Sequence, residues 1–337
     1  MVNTLNTIKA GIFGTVVGDA LGVPVEFTSR AERRADPVVD MREYGTHNQP
    51  KGTWSDDSSM MLATMDSMVS KRGFVYADIM ERFQAWRFDG EYTPHGSVFD
   101  VGITCSNAIS KYRSGRDPLG CGETGERDNG NGSLMRIMPA SLYYAVRQDY
   151  WDDVVFEDAV ETIQNISRLT HGHPRSQMAC VLYTSICHEL IRRDDSTTEE
   201  AVGTAISKTL HFYEDSADKY PWMNLDFQEE IQADTYGRLR EISTFKNLPD
   251  AEIRSSGYVV DTLEAAIWCL LTTKSYSECV LKAVNLGQDT DTVGAVAGGL
   301  AGLCYGYEGI PEEWISAIVS KDWIQGLCCQ FEEFILN

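Results

Sequence analysis

Two stretches of the chain are apolar yet full of small residues. Residues 4–21 set Ile8, Gly11, Ile12, Thr15, Val16 and Asp19 at helical spacing. Gly11, Gly14, Gly18 and Gly22 recur every three or four positions along the same stretch. Near the other end, Gly294, Ala295, Ala297, Gly298, Gly299, Ala301 and Gly302 repeat that character. Glycine costs a helix about 1 kcal/mol per residue, so these positions imply close approach by another backbone. The pattern predicts two small-residue helices packed together in the middle of a bundle.

Other windows are conventionally amphipathic. Residues 58–71 carry Met61, Leu62, Met65 and Met68, and residues 76–87 carry Ile79, Met80, Phe83 and Trp86. Helices are also predicted over 151–169, 175–193, 198–213, 262–271 and 276–286. Alternating strand patterns are scarce, so the fold class is all-α, with room for one short hairpin. No internal repeat or linker divides the chain, and residues 1–337 read as a single domain. Residues 114–133 are rich in Gly and polar side chains and predict a loop. Residues 213–258, with Pro221, Trp222, Phe227, Tyr236 and Phe245, predict an irregular excursion. Long loops often act as lids; a surface excursion with its own short helices fits equally.

Composition narrows the function. Hydrophobic content of 43% with 23% charged residues is that of a globular protein with a sizeable core. A net charge of −21 argues against nucleic acid and against an anionic membrane surface. It does not exclude a small phosphorylated ligand, because bound metal reverses the local field. The nine cysteines show no metal-ligand spacing, and reduced thiols in a cytoplasmic compartment are expected. Residues 1–9 lack the basic start of a secretory signal. The uncharged run 292–307 is short for a membrane span.

Two acidic clusters carry the candidate chemistry: Ser55-Asp56-Asp57 and Asp289-Thr290-Asp291-Thr292. Each precedes a helical stretch with almost no charge. Hard oxygen donors in such clusters suit magnesium or manganese. Two groups of acids brought together repel unless a cation lies between them. The alternative is a pair of helix caps, for which Asp, Ser and Thr are equally suited.

Six ordered motifs make the chain resemble the ADP-ribosylglycohydrolases, including the type that reactivates dinitrogenase reductase. They are Gly18-Asp19-Ala20-Leu21-Gly22 followed by Glu26; Thr53-Trp54-Ser55-Asp56-Asp57; Asp100-Val101-Gly102 with Thr104; Asn131-Gly132-Ser133-Leu134-Met135-Arg136; Thr170-His171; and Gly287-Gln288-Asp289-Thr290-Asp291-Thr292. The resemblance implies a compact helical domain with a binuclear centre of two Mg2+ or Mn2+ ions. It implies Ser55, Asp56, Asp57, Asp289, Asp291 and Thr292 as metal ligands, Ser55 standing where many members have Thr. Glu26 matches a carboxylate at the mouth of the site, and Asp100 matches the acid that bacterial members carry beside the scissile bond. Gly102, Asn131, Gly132, Ser133 and His171 match contacts to ADP-ribose.

The residues themselves agree with that chemistry. Cleaving a bond to ribose builds positive charge at the anomeric carbon, which carboxylates stabilise. One of them can act as general base toward water. The glycines at 130–133 leave backbone N–H groups open to a diphosphate. Tyr258 is a candidate to stack on adenine, or else a core tyrosine. Arg136 is either a buried cation paired with an acid or a substrate contact. Glu26 has an alternative as a solvated loop acid, Asp100 as the cap of a helix over 101–112, and His171 as part of a polar turn. His47, His95 and His173 receive no role. Three functions remain open: a hydrolase acting on ADP-ribosylated protein, most simply at arginine; the same chemistry on a small molecule such as an acylated ADP-ribose; and a non-catalytic protein of the same fold. A monomer is expected.

Overall fold

The structure is a computed structural model that describes residues 3–193, 195–216, 219–220 and 225–336. Its helices run α1 (Thr4–Gly22), α2 (Arg30–Ala35), α3 (Asp56–Lys71), α4 (Tyr76–Gln84), α5 (Ile103–Arg113), α6 (Met138–Ala145), α7 (Asp153–Arg168) and α8 (Pro174–Ile191). They continue with α9 (Thr198–Ser216), α10 (Leu225–Ala233), α11 (Ile242–Phe245), α12 (Val259–Leu271), α13 (Tyr276–Val284), α14 (Thr290–Tyr305), α15 (Glu312–Ala317) and α16 (Lys321–Leu336). The predicted short hairpin is not found: the described residues contain only three isolated bridges, Tyr44 with Gln49, Glu123 with His171 and Gly130 with Tyr258.

α1 and α14 form the centre and run antiparallel. A Cβ placed on Gly14 would lie 2.4 Å from the carbonyl oxygen of Gly298, and one on Gly18 would lie 2.1 Å from that of Gly294. Neither helix tolerates a side chain at these positions, which is why both are written in glycine. Around this seam Ile12, Phe13, Val16, Val17 and Leu21 are fully buried, each worth about 1.5–3 kcal/mol over exposure. The stretch Thr4–Val25 is long and apolar enough to cross a membrane, but its apolar window is 94% buried in protein. The hydrophobic cluster around it draws on residues from Ile8 to Phe334. A second cluster, with Met60, Met80, Phe83, Trp86 and Ile109, ties α3, α4 and α5 together.

The 213–258 region carries short helices of its own, α10 and α11, and buries Phe227, Tyr236 and Phe245. Pro221 and Trp222 lie outside the described residues. All nine cysteines are free, and only Cys329 is not buried.

Candidate active site

The first turns of α3 and α14 meet across the seam. Ser55 caps α3 and turns its hydroxyl back to Oδ2 of Asp57 at 2.9 Å. Thr292, in the first turn of α14, donates to the same oxygen at 3.3 Å. The clusters are therefore caps and site residues at once. What places α3 is Asp19, a residue the motifs contained but to which no role was assigned. It is fully buried late in α1 and accepts from the Ser55 amide (2.9 Å), the Ser58 amide (3.1 Å) and the Ser58 hydroxyl (2.6 Å). Its hydrogen bonds all go to the start of α3, so Asp19 acts as a strut behind the site.

Carboxylate oxygens of Asp19, Asp57 and Asp291 lie within 4.8 Å of one another, as do those of Glu26, Asp289 and Asp291. Oδ1 of Asp57 and Oδ1 of Asp289 are buried and accept no hydrogen bond. A buried ionised oxygen without a partner is costly, and a hard divalent cation supplies the missing partner. The residues present fit that group: an all-oxygen donor set with two unsatisfied oxygens. Burial, then repulsion from neighbouring acids, pushes Asp56, Asp57 and Asp291 well above the carboxylate range. Burial also raises Asp289, against the hydrogen bond from Asn131. Asp56 faces the cleft beside Asp100, with the Gly102 amide 3.4 Å from its Oδ2.

Glu26 is not a solvated loop acid. It is 5% exposed and pairs through Oε2 with Nε2 of His47. Burial raises it to about 7, the His47 bond opposing and Asp100 and Asp289 adding. His47 was missed because nothing in its own sequence window links it to position 26. It arrives through a turn in which Tyr44, Gly45 and Asn48 all have positive φ. For the two non-glycine residues this conformation costs on the order of 1–3 kcal/mol each. Asp100 completes a group with Glu26 and His47 whose ligand atoms lie within 4.8 Å. It is not the cap of the following helix. That position belongs to Gly102, and Asp100 instead accepts from the Val101 amide at 2.8 Å.

The third wall is the 129–133 loop, stitched to the start of α12 by bonds from the Asn131 amide to the Gly257 carbonyl and from the Val259 amide to the Asn129 carbonyl, both 3.0 Å. Asn131 Nδ2 donates to Asp289 Oδ2 at 2.8 Å and to Thr262 at 2.9 Å, so its side chain orients a candidate ligand. A Cβ on Gly132 would lie 2.7 Å from Cys105 Sγ and 2.9 Å from the His171 ring. His171 is buried and held through Nδ1 at 2.8 Å from the Thr170 hydroxyl. Burial, then Arg136, lowers it to about 3, so the ring is neutral at physiological pH. Arg136 has no acidic partner among the described residues. It is fully buried, donates to the Gly132 and Ile166 carbonyls, and lies 5.1 Å from the Phe83 ring centroid. It thus braces the loop.

Glu26, Asp56, Asp100, Gly102, Asn131, Gly132, His171, Asp289 and Thr292 line one cleft of ≈ 310 Å³. Ser133 and Tyr258 are not on its lining. Ser133 is fully buried behind it, accepting from Ser167 at 2.9 Å, and the Tyr258 ring lies under the Arg175 guanidinium at 5.8 Å. The Ser133 hydroxyl is spent on Ser167 and Cys180, and Tyr258 stands at the start of α12 beside Arg175.

Comparison with known proteins places this arrangement. The profile of the ADP-ribosylglycohydrolase family matches residues 2–335. The chain therefore belongs to the ADP-ribosylglycohydrolase family, enzymes that cleave glycosidic bonds to ADP-ribose. It is 31% identical over 326 residues to the ADP-ribosylarginine hydrolase Tri1 of Pseudomonas putida (strain GB-1), covering 96% of this chain and 77% of that one. It is 30% identical over 319 residues to the ADP-ribosyl-[dinitrogen reductase] glycohydrolase of Rhodospirillum rubrum, covering 91% and 88%. A solved structure described as an ADP-ribosylglycohydrolase-related protein complex superposes with a TM-score of 0.75 at 28% identity, over 99% of this chain and all of that one.

Proposed function

We propose that the enzyme removes ADP-ribose from arginine side chains of modified proteins, in a reaction that depends on two divalent cations, Mg2+ or Mn2+. The observation that carries this reading is that Asp291 joins two carboxylate groups, one with Asp19 and Asp57 and one with Glu26 and Asp289, in which Asp57 and Asp289 each keep a buried, unsatisfied oxygen, at the floor of the cleft that Glu26 and Asp289 line. The names of the relatives in Pseudomonas and Rhodospirillum support the substrate. Nine free cysteines suit a reducing, cytoplasmic setting.

Ser55, Asp56, Asp57, Asp289, Asp291 and Thr292 would hold the cations. When bound, these supply an anchor for ribose hydroxyls or water and lower the pKa of what they hold. The chain's own groups do the rest. The Gly130 and Gly132 amides, on the cleft lining, are the backbone donors offered to a diphosphate, beside neutral His171; the Asn131 amide is spent on Gly257. Asp100, at the cleft beside Glu26, takes a proton from the attacking water. The water oxygen forms the new bond at the anomeric carbon. The C–N bond breaks, its electron pair leaves on the guanidine nitrogen, and that nitrogen takes up the proton Asp100 received from the water, which returns Asp100 to its ionised form. Glu26 stabilises the positive charge that develops on the sugar.

The test is a parallel incubation with arginine-ADP-ribosylated protein and with O-acyl-ADP-ribose, each with magnesium and with chelator. Magnesium-dependent release of ADP-ribose that regenerates arginine supports the proposal. Turnover of the acyl compound alone would reassign the substrate to a small molecule. Binding without turnover of either would leave a non-catalytic ADP-ribose-binding protein.

A further inference from the structure

His47 contacts a candidate catalytic acid and has no part in the mechanism above. The turn that carries it is built around Glu26. Thr46 donates its hydroxyl to the Glu26 carbonyl at 2.8 Å, while the His47 ring reaches the Glu26 carboxylate. Gly45, at φ +61°, presses against Pro24: a Cβ there would lie 1.9 Å from the Pro24 carbonyl oxygen. Gln49 closes the turn, its side chain donating to the His47 carbonyl at 3.2 Å. The ring itself is fixed between two aromatics, with centroids 5.9 Å from Phe27 and 5.2 Å from Phe99.

The other flank of Glu26 is equally anchored. The Phe27 amide donates to the Gln288 carbonyl at 2.7 Å, and the Gln288 amide donates to the Thr28 carbonyl at 2.6 Å. Glu26 therefore sits between the turn at 44–49 and the strained approach to α14, where Gly287 and Gln288 both have positive φ. Only Oε2 is taken, by His47; no described residue donates to Oε1.

We propose that His47 is a positioning residue for the reaction: by binding Oε2 it holds Glu26 so that Oε1 faces the Asp289–Asp291 turn and the bound sugar. The inference rests on the reading of Glu26 given above. A carboxylate this close to Asp289 and Asp291 is repelled by them without cations and drawn toward them with cations bound, so only a directional donor fixes which of its oxygens faces the sugar. Neither Phe27 nor Phe99 offers such a donor. The turn is thus a clamp whose working part is one ring nitrogen.

The experiment is a mutant cycle on the full-length enzyme with magnesium and arginine-ADP-ribosylated protein. His47→Phe keeps the ring contacts and removes the donor. It is expected to lower kcat about tenfold, with KM, melting temperature and bound magnesium unchanged. His47→Gln, which restores a donor, is expected to recover most of the loss. In a Glu26→Gln background, His47→Phe is expected to add no further loss. An unchanged kcat in His47→Phe, or an undiminished tenfold loss on top of Glu26→Gln, would overturn the proposal. So would loss of bound magnesium in His47→Phe, which would make the ring a metal ligand. His47→Leu serves in the same cycle should His47→Phe not fold. Full turnover in Glu26→Gln is a different outcome: it removes Glu26 from the chemistry, and with it the reading on which the clamp depends.

Discussion

The Thr292 hydroxyl lies 3.3 Å from Oδ2 of Asp57, joining two helix starts that are 235 residues apart in the chain. The contact brings carboxylates of both clusters together, as a cation shared between them would require. Asp291→Ala is therefore expected to abolish turnover and to remove most of the magnesium-dependent rise in melting temperature. At magnesium a hundred times its dissociation constant, that rise corresponds to about 2.7 kcal/mol. Calorimetric melting with magnesium and with chelator checks it, and an identical rise in wild type and variant would count against the assignment.

The same crowding makes the metal-free protein sensitive to pH. Asp19 titrates near 6 and Glu26 near 7, and Asp56, Asp57 and Asp291 are also raised, in every case chiefly by burial. Folded values above the unfolded ones mean stability fully present below about pH 4 and lost as pH rises through 6 to 7 and beyond. Acids lowered by arginine, such as Asp36 and Asp250, lose their contribution only below the ordinary aspartate value, outside this window. Histidines lowered by burial, His171, His173 and His188, gain stability with rising pH only up to their ordinary value near 6.5. In chelator, the melting temperature should therefore fall from about pH 6.5 to pH 8, and magnesium should flatten the slope. A chelated protein whose melting temperature rises over that range would contradict the account.

The central seam was legible because backbone contact leaves a mark in sequence. Gly14, Gly18, Gly294 and Gly298 are each explained by one neighbouring carbonyl, and spacing alone exposed them. The acidic clusters were legible because their acids and hydroxyls are contiguous. α6 escaped notice for the opposite reason: Met138, Ala140, Ser141, Leu142, Tyr144 and Ala145 are all buried, so no polar face sets a period. His47 and Asp19 escaped because their partners are set by the tertiary path, across a strained turn and between helices. Ser133 reads as a ligand contact because it sits in a motif, yet its hydroxyl is spent inside the protein on Ser167 and Cys180.

The seam makes a stability prediction with an internal control. Gly18→Ala brings a Cβ within 2.1 Å of the Gly294 carbonyl oxygen and 2.5 Å of its carbon. It is expected to cost about 3 kcal/mol, the upper part of the usual overpacking range. Gly326→Ala, on the exposed side of α16 with nothing within 4 Å, should instead gain up to about 1 kcal/mol from helix propensity. Denaturant unfolding of the two variants separates close approach from a general glycine effect.

Asp100 is argued to take the proton of the attacking water without being a primary metal ligand. Asp100→Asn should then lower kcat about a hundredfold or more, the scale of a lost general base. Its magnesium content should stay at the wild-type level by elemental analysis. Normal turnover, or a parallel loss of metal, would reassign it.

The central claim is that cations held by Asp57, Asp289 and Asp291 meet the sugar of ADP-ribose in a strongly acidic protein. The net charge of −21 repels a diphosphate at long range, so binding needs local positive charge. Isothermal titration of ADP-ribose into the protein with magnesium, and again after chelation, tests this most directly. The account predicts at least tenfold weaker binding after chelation, about 1.4 kcal/mol. Adenosine monophosphate, which lacks the distal ribose, should bind weakly and with little metal dependence. Equal ADP-ribose affinity in both conditions would contradict it.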